Sequence, residues 1–348
     1  MTTRRTRRLL ATFTALALVT LTGCGASEEV STDAPTSAGE GATRYPLVVE
    51  NCGREETIDS APQRVVSLDQ NSTEILLSLG LGDRVVGTAS WTDPVLESLA
   101  DANADVPRLA DNAPTYEVLL DTDPDFVTAS FGRHFAEGGV VSRQRLDETG
   151  IASYLSPTDC DDGESVNGGA PRTTALTVDV LYTEIRELAE IFDVRDRGEA
   201  LIAELTERAS AATEGVDFGG RSVVFWFADT KTPYVAGSFG AAALLASATG
   251  MENVISSTDD WPATGWETVV DDAPDILVVG DLQRDRFPGD RLDDKLDFLR
   301  SDPLTSTLDA VENDRIIALH GAEMNPSIRF VDGLEKIRAW WDENEDTL

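Results

Sequence analysis

The sequence predicts an α/β protein of two similar lobes, each with a parallel-rich sheet, joined by a long central helix. The first observation behind this is one unit used twice. Tyr116-Glu-Val-Leu-Leu-Asp-Thr-Asp-Pro-Asp-Phe-Val127 recurs as Trp266-Glu-Thr-Val-Val-Asp-Asp-Ala-Pro-Asp-Ile-Leu277, at a constant offset of 150. Both copies read aromatic-Glu, an apolar helical turn, an acidic bend, Pro-Asp and a strand. Two copies imply two lobes, since a solenoid needs about three or more stacked repeats. The second observation is a set of short, unbroken apolar runs at 65–68, 126–129, 223–227, 276–279 and 316–319. Runs of this kind suit strands buried on both faces, and the helical stretches alternating with them suit parallel sheets covered by helices. The third is the stretch 176–212 between the two copies. Its apolar residues keep a helical rhythm through Leu181, Ile185, Leu188 and Phe192, then Leu201, Leu205 and Ala209, with a break expected near 193–196.

Residues 1–23 read as a signal peptide. Arg4, Arg5, Arg7 and Arg8 precede an apolar run at 9–21, which is short for a bilayer span. The run closes on Leu21-Thr22-Gly23-Cys24, which resembles a bacterial lipoprotein signal with Cys24 as the lipidated first residue. Acyl chains there would hold the protein at an outer membrane face through buried CH₂ groups. Residues 24–44 hold no aromatic side chain and one large aliphatic, Val30. Such a segment buries no core and reads as a flexible tether, with a reach of roughly 25 Å. The body then divides into an N-terminal lobe (45–172), a linking helix (173–215) and a C-terminal lobe (216–348). The last lobe ends in a helix with the stripe Phe330, Leu334, Ile337 and Trp341.

With Cys24 committed to lipid, Cys52 and Cys160 remain, and in an exported protein they are expected to pair. A disulfide closing so long a loop is worth at most roughly 4–5 kcal/mol on the chain-entropy model. The neighbouring Asp159, Asp161 and Asp162 lack the spacing of an EF-hand loop. The formal net charge of −35 argues against nucleic acid, whose phosphates need a basic surface, and against adsorption to anionic lipid. The two histidines of the chain, His134 and His320, are too few for a His-rich transition-metal cage, so no metal site is expected. The sequence has no P-loop, no GxGxxG after a strand, no GxSxG elbow and no SxxK.

Ligands of open parallel sheets collect beyond the carboxyl ends of the strands. Asp69, Gln70 and Asn71 follow the first run, Trp91 follows the short run at 85–86, and Arg133 and His134 follow the run at 126–129. Tyr234 follows the run at 223–227, His320 to Arg329 follow the run at 316–319, and Trp261 stands five residues before the second repeat copy. Trp91, Tyr234 and Trp261 read as apolar walls of a site or as packing under loops. Arg133 reads as a ligand-side cation or a surface charge, Arg329 as a ligand-side cation or a partner of acidic neighbours, and the acid-pairing reading is preferred for Arg172. His134 and His320 read as hydrogen-bonded loop residues, with a Ser/His hydrolase as the reading of another class. Glu117 and Glu267 occupy one position in two copies of the repeat, which suits a partner that is itself two-fold symmetric.

The lipidated Cys, the tether, Arg64-Val65-Val66-Ser67-Leu68 followed by Thr73-Glu74, the long central helix and both Pro-Asp units together resemble a known family. They are similar to the substrate-binding lipoproteins of ABC importers, in the ferric-siderophore, haem and cobalamin family, over about 46–341. The resemblance implies a lipid-anchored, extracytoplasmic receptor that captures an iron(III)-siderophore complex, with cobalamin or haem as alternatives. No enzymatic step and no resident cofactor is implied. The implied partners are a permease dimer and its ATPase subunits, with Glu117 and Glu267 pairing with permease arginines. Trp261 matches a family position that often contacts ligand. Its counterpart in the first lobe is Asp111, so a second aromatic wall must come from elsewhere, with Trp91 the candidate. The expected ligand set is Trp91, Arg133, His134, Tyr234, Trp261 and Arg329.

Overall fold

The computed structural model describes residues 43–348 apart from Asp285. The signal peptide, Cys24 and nearly all of the tether lie outside these residues. Two five-stranded sheets organise the body. The first runs in the order Arg108–Ala110, Val85–Ala89, Val65–Ser67, Phe126–Ala129, Ala152–Leu155, with every pairing parallel. The chain starts in the middle, works out to one edge and returns to the other. The strand order therefore reverses between Val65–Ser67 and Phe126–Ala129, which opens a crevice beyond their carboxyl ends. The second sheet runs Tyr234–Val235, Ser222–Ala228, Ile276–Asp281, Ile316–His320, with Glu252–Asn253 beside the start of Ser222–Ala228. Only Tyr234–Val235 pairs antiparallel in it.

The repeated unit has the same structural task in both lobes. The Asp125 carboxylate accepts the backbone N–H groups of Gln63 (2.8 Å) and Arg64 (2.9 Å). The Asp275 carboxylate accepts the backbone N–H (2.9 Å) and the hydroxyl (2.8 Å) of Ser222. Each aspartate thus stands at the start of its own strand and fixes the start of the parallel neighbour. Proline ahead of it ends the preceding turn by removing a donor and fixing φ.

The linking segment forms two helices, Val178–Ile191 and Arg195–Thr213. They break where Asp193 takes a positive φ of 58°. The second helix folds back on the first, so closely that a Cβ on Gly198 would stand 2.6 Å from the Ala189 Cβ. Leu181, Ile185, Leu188 and Phe192 are buried, and they share one apolar core with Val65 and Phe126 of the first lobe and Phe225, Ile317 and Leu334 of the second. At about 1.5–3 kcal/mol for each fully buried large side chain, this face welds the lobes more than it hinges them. Cys52 and Cys160 are joined, with 5.6 Å between their Cα atoms, and the bond ties the short hairpin Cys160–Asp161/Glu164–Ser165 to the first lobe.

Candidate functional site

Both sheets point carboxyl ends into one cleft of about 720 Å³ between the lobes. Its floor is the N-terminus of the helix Gln70–Ser78, which the Asp69 side chain caps by accepting the Ser72 N–H at 3.0 Å. Asn71, on that floor, donates to the Ser130 hydroxyl (2.8 Å) and accepts the Ile328 N–H (3.3 Å) across the lobe junction.

Arg133 rises from the turn after Phe126–Ala129. Its guanidinium lies 4.3 Å from the centre of the Phe131 ring and donates to the Asn167 side chain at 3.2 Å. The turn is held by Asp159, whose buried carboxylate accepts the Gly132 N–H (2.8 Å), the Ser165 hydroxyl (2.6 Å) and the Asn167 N–H (3.0 Å). Only glycine fits at 132, where a Cβ would stand 1.8 Å from Ser165 Oγ. Burial raises the Asp159 carboxyl to about 6 against these donors.

The opposite wall comes from the second lobe. Trp261 packs on Phe227 with ring centres 4.7 Å apart, and Tyr234 stands 6.4 Å from Phe287. Tyr234 also bridges to Ala263, which sets the loop carrying Trp261. The segment after Ile276–Asp281 folds over the Asp290 carboxylate, which accepts the N–H groups of Arg286 (2.7 Å) and Phe287 (3.0 Å). This turn presents Arg284 and Arg286 to the cleft. Arg284 lies 5.5 Å from the Phe227 ring centre, with its Nε 3.5 Å from Asp290. Arg286 reaches across and donates to the Asp111 carbonyl at 2.8 Å.

Three guanidinium groups, Arg133, Arg284 and Arg286, thus converge from both lobes. Burial comes first in depressing the pKa of Arg133, and the positive charges of Arg286 and Arg284 depress it further. Burial likewise depresses Arg284, and Arg286 adds to it. All three remain cationic, since an arginine does not lose its proton in a protein. Among the cleft carboxylates, Asp260 is already held by Arg172 through two hydrogen bonds of 2.6 and 2.8 Å. The acid-pairing reading of Arg172 is what the geometry shows. Such a cleft suits an anion that has both apolar faces and oxygen acceptors.

Of the residues expected from sequence, Arg133, Tyr234 and Trp261 line this cleft. Arg329 does not. It is buried at 4 % exposure, its Nε bonds Glu74 at 2.8 Å, and its Nη2 donates to Glu74 and to the Pro94 carbonyl. This is an ion pair locking the lobes, beside the Asp93 carboxylate that accepts the Ala322 N–H at 2.8 Å. His134 is also turned away from the cleft, at 2 % exposure, and its Nε2 has no partner among the described residues. Burial, with Arg133 adding to it, lowers its pKa to about 4, so the ring is neutral near pH 7. His320 ends its strand with Nδ1 3.3 Å from the Asp281 carbonyl, outside the cleft lining. Trp91 is buried, donates to Thr88 Oγ1 at 2.8 Å and is covered by Arg108 at 4.5 Å. It lines a neighbouring cavity instead. Glu117 and Glu267 are exposed at the starts of the helices Tyr116–Leu120 and Trp266–Asp272. No cluster of three or more metal-ligating side chains occurs among the described residues.

The profile of the family described as periplasmic binding protein matches residues 65–323. An uncharacterized ABC transporter substrate-binding lipoprotein of Bacillus subtilis, YvrC, is 25 % identical over 219 residues, covering 58 % of this chain and 65 % of that protein. A cobalamin-binding protein of Halobacterium salinarum is 24 % identical over 242 residues, 68 % of this chain and 57 % of that one. The chain therefore spans less than two thirds of the length of these curated relatives. Among solved structures, an ABC-type Fe3+-hydroxamate transport system from Saccharomonospora viridis superposes with a TM-score of 0.70 at 26 % identity, covering 85 % of this chain and 99 % of the other. A periplasmic binding protein from Veillonella parvula also gives 0.70, at 23 % identity, covering 84 % and 96 %.

Proposed function

The chain belongs to the periplasmic binding protein family, and from that premise we propose that it is the lipid-anchored, extracytoplasmic solute-binding component of an ABC importer. Its cargo in this reading is an anionic iron(III)-siderophore complex, delivered to a permease dimer driven by ATPase subunits. The observation that carries the reading is the convergence of Arg133, Arg284 and Arg286 over the aromatic walls Phe131, Phe227 and Trp261 in one interlobe cleft. Gathering three like charges is unfavourable in the empty cleft, and an anionic ligand converts that cost into charge-assisted hydrogen bonds. The apolar rings supply the remaining contact area. Binding and release of this kind involve no covalent chemistry, unlike the hydrolase alternative. Cobalamin is the second reading, supported by the Halobacterium salinarum relative.

The test is tryptophan fluorescence against a panel of ferric chelates of different charge, with cyanocobalamin and haem alongside. Saturable quenching by an anionic ferric chelate, weakened about tenfold or more in Arg133→Gln by loss of a charged hydrogen bond, supports the reading. Saturable binding of cyanocobalamin alone overturns the iron assignment, and turnover of a test ester overturns the receptor role.

A further inference from the structure

A second cavity of about 550 Å³ adjoins the cleft and shares Thr92, Arg284 and Arg286 with it as a common wall. Its far side is Trp91 with Arg108 laid over the ring at 4.5 Å. Arg108 is exposed, and its side chain makes no hydrogen bond or ion pair with another described residue. Arg284 Nε is buried with the Asp290 carboxylate 3.5 Å away but no hydrogen bond among the described residues. In a chain of net charge −35, a fourth arginine thus stands beyond the first three, in a cavity that shares wall residues with the cleft and is lined by Arg108, Arg284 and Arg286 as well as Asp93 and Asp111.

We propose that the ligand is an elongated polyanion whose chelate body sits in the main cleft while a carboxylate-bearing arm passes Arg286 into the adjoining cavity and is held there by Arg108 and Arg284. This rests on the proposed function and specifies its substrate class: a ferric complex of the polycarboxylate type. Guanidinium forks match carboxylates in a planar, two-point geometry. The Trp91 ring is already covered by Arg108 and buried, so the annexe offers an arm charge pairing and little aromatic stacking. Arg286 lines both cavities and donates to the Asp111 carbonyl, and an arm passing it takes over that donor.

The experiment measures the affinity of the folded protein for ferric citrate, a polycarboxylate ferric complex, and for ferrichrome, a neutral and compact ferric trihydroxamate. Wild type is compared with Arg108→Gln, Arg108→Lys and Arg133→Gln. The expected result is that wild type prefers ferric citrate and that Arg108→Gln loses about tenfold or more of that affinity, the scale of one charged hydrogen bond. Arg108→Lys recovers part of the loss, and ferrichrome binding stays unchanged in both Arg108 variants. Unchanged ferric citrate affinity in Arg108→Gln, with a loss in Arg133→Gln, overturns the annexe and leaves the anionic-chelate reading standing. Tighter wild-type binding of ferrichrome than of ferric citrate overturns the polyanion class. Saturable binding of neither chelate overturns the polycarboxylate class, while the wider panel of ferric chelates decides the proposed function.

Discussion

Glu184 is an ionisable group that the fold buries completely. It sits on the central helix with no exposed surface. One carboxyl oxygen accepts the Ser156 hydroxyl at 2.7 Å, and the other has no partner among the described residues. Burial raises its pKa from 4.5 to about 8, the bond from Ser156 opposes the rise, and the nearby Asp69 charge adds to it. Near pH 7 the folded protein therefore holds a proton here that the unfolded chain has released. A raised folded-state pKa contributes stability that is fully present below about pH 4.5 and is lost as pH rises through about 8. Between those limits the loss is about 1.4 kcal/mol per pH unit, or roughly 3 kcal/mol by pH 7. Above about 8 it is constant. Glu184→Gln is neutral at every pH and has nearly the same shape. Its stability relative to wild type should climb by about 1.4 kcal/mol per unit between pH 5 and about 8, then level off. Urea unfolding of both proteins at unit pH steps gives this difference, and an unchanged m-value confirms that only stability moved. Asp159, raised to about 6, titrates in the same window but cancels between the two proteins. A difference that is flat with pH, or that begins to grow only above pH 8, would refute the buried-proton argument.

Two further outcomes are expected. Arg329→Met leaves Glu74 buried and unpaired, and should cost about 3–5 kcal/mol, whereas Glu74→Gln combined with Arg329→Met should recover much of that in a thermal melt; a small loss in the single variant would show that the pair does not lock the lobes. Glu117→Ala and Glu267→Ala should leave chelate affinity intact while reducing uptake, with the double variant nearly inactive, because two linked contacts to one permease dimer reinforce each other; normal transport by the double variant at equal surface abundance would defeat the docking role.

The scaffold was legible in the sequence because its determinants are local. Apolar runs such as 126–129 stay strands wherever they pack, and Pro-Asp acts within a lobe, as Asp125 does on Arg64 and Asp275 on Ser222. The cleft was legible only in part. Looking past strand ends finds Arg133, and the same rule applied after Ile276–Asp281 finds Arg284 and Arg286, which sequence reasoning passed over. Phe227 closes an apolar run and read as core. Arg329 satisfied the rule yet belongs to Glu74, 255 residues away, and His134 lies beside Arg133 on a turn that aims the two side chains differently. The destination of a long polar side chain is set by partners across the lobe junction, which no local pattern encodes.

The repeat carries one more consequence for specificity. What the two copies share is scaffold: the strand-pinning aspartates and the exposed glutamates at two helix starts. What distinguishes ligands must then lie where corresponding positions differ, and Trp261 against Asp111 is such a place. In the second lobe that position supplies an aromatic wall packed on Phe227. In the first it supplies a carbonyl that accepts from Arg286 of the second lobe. At this pair of positions one lobe therefore contributes an aromatic face and the other positions a cation, an asymmetry that a ligand with one aromatic-facing side and one anionic side can use and a symmetric apolar ligand cannot.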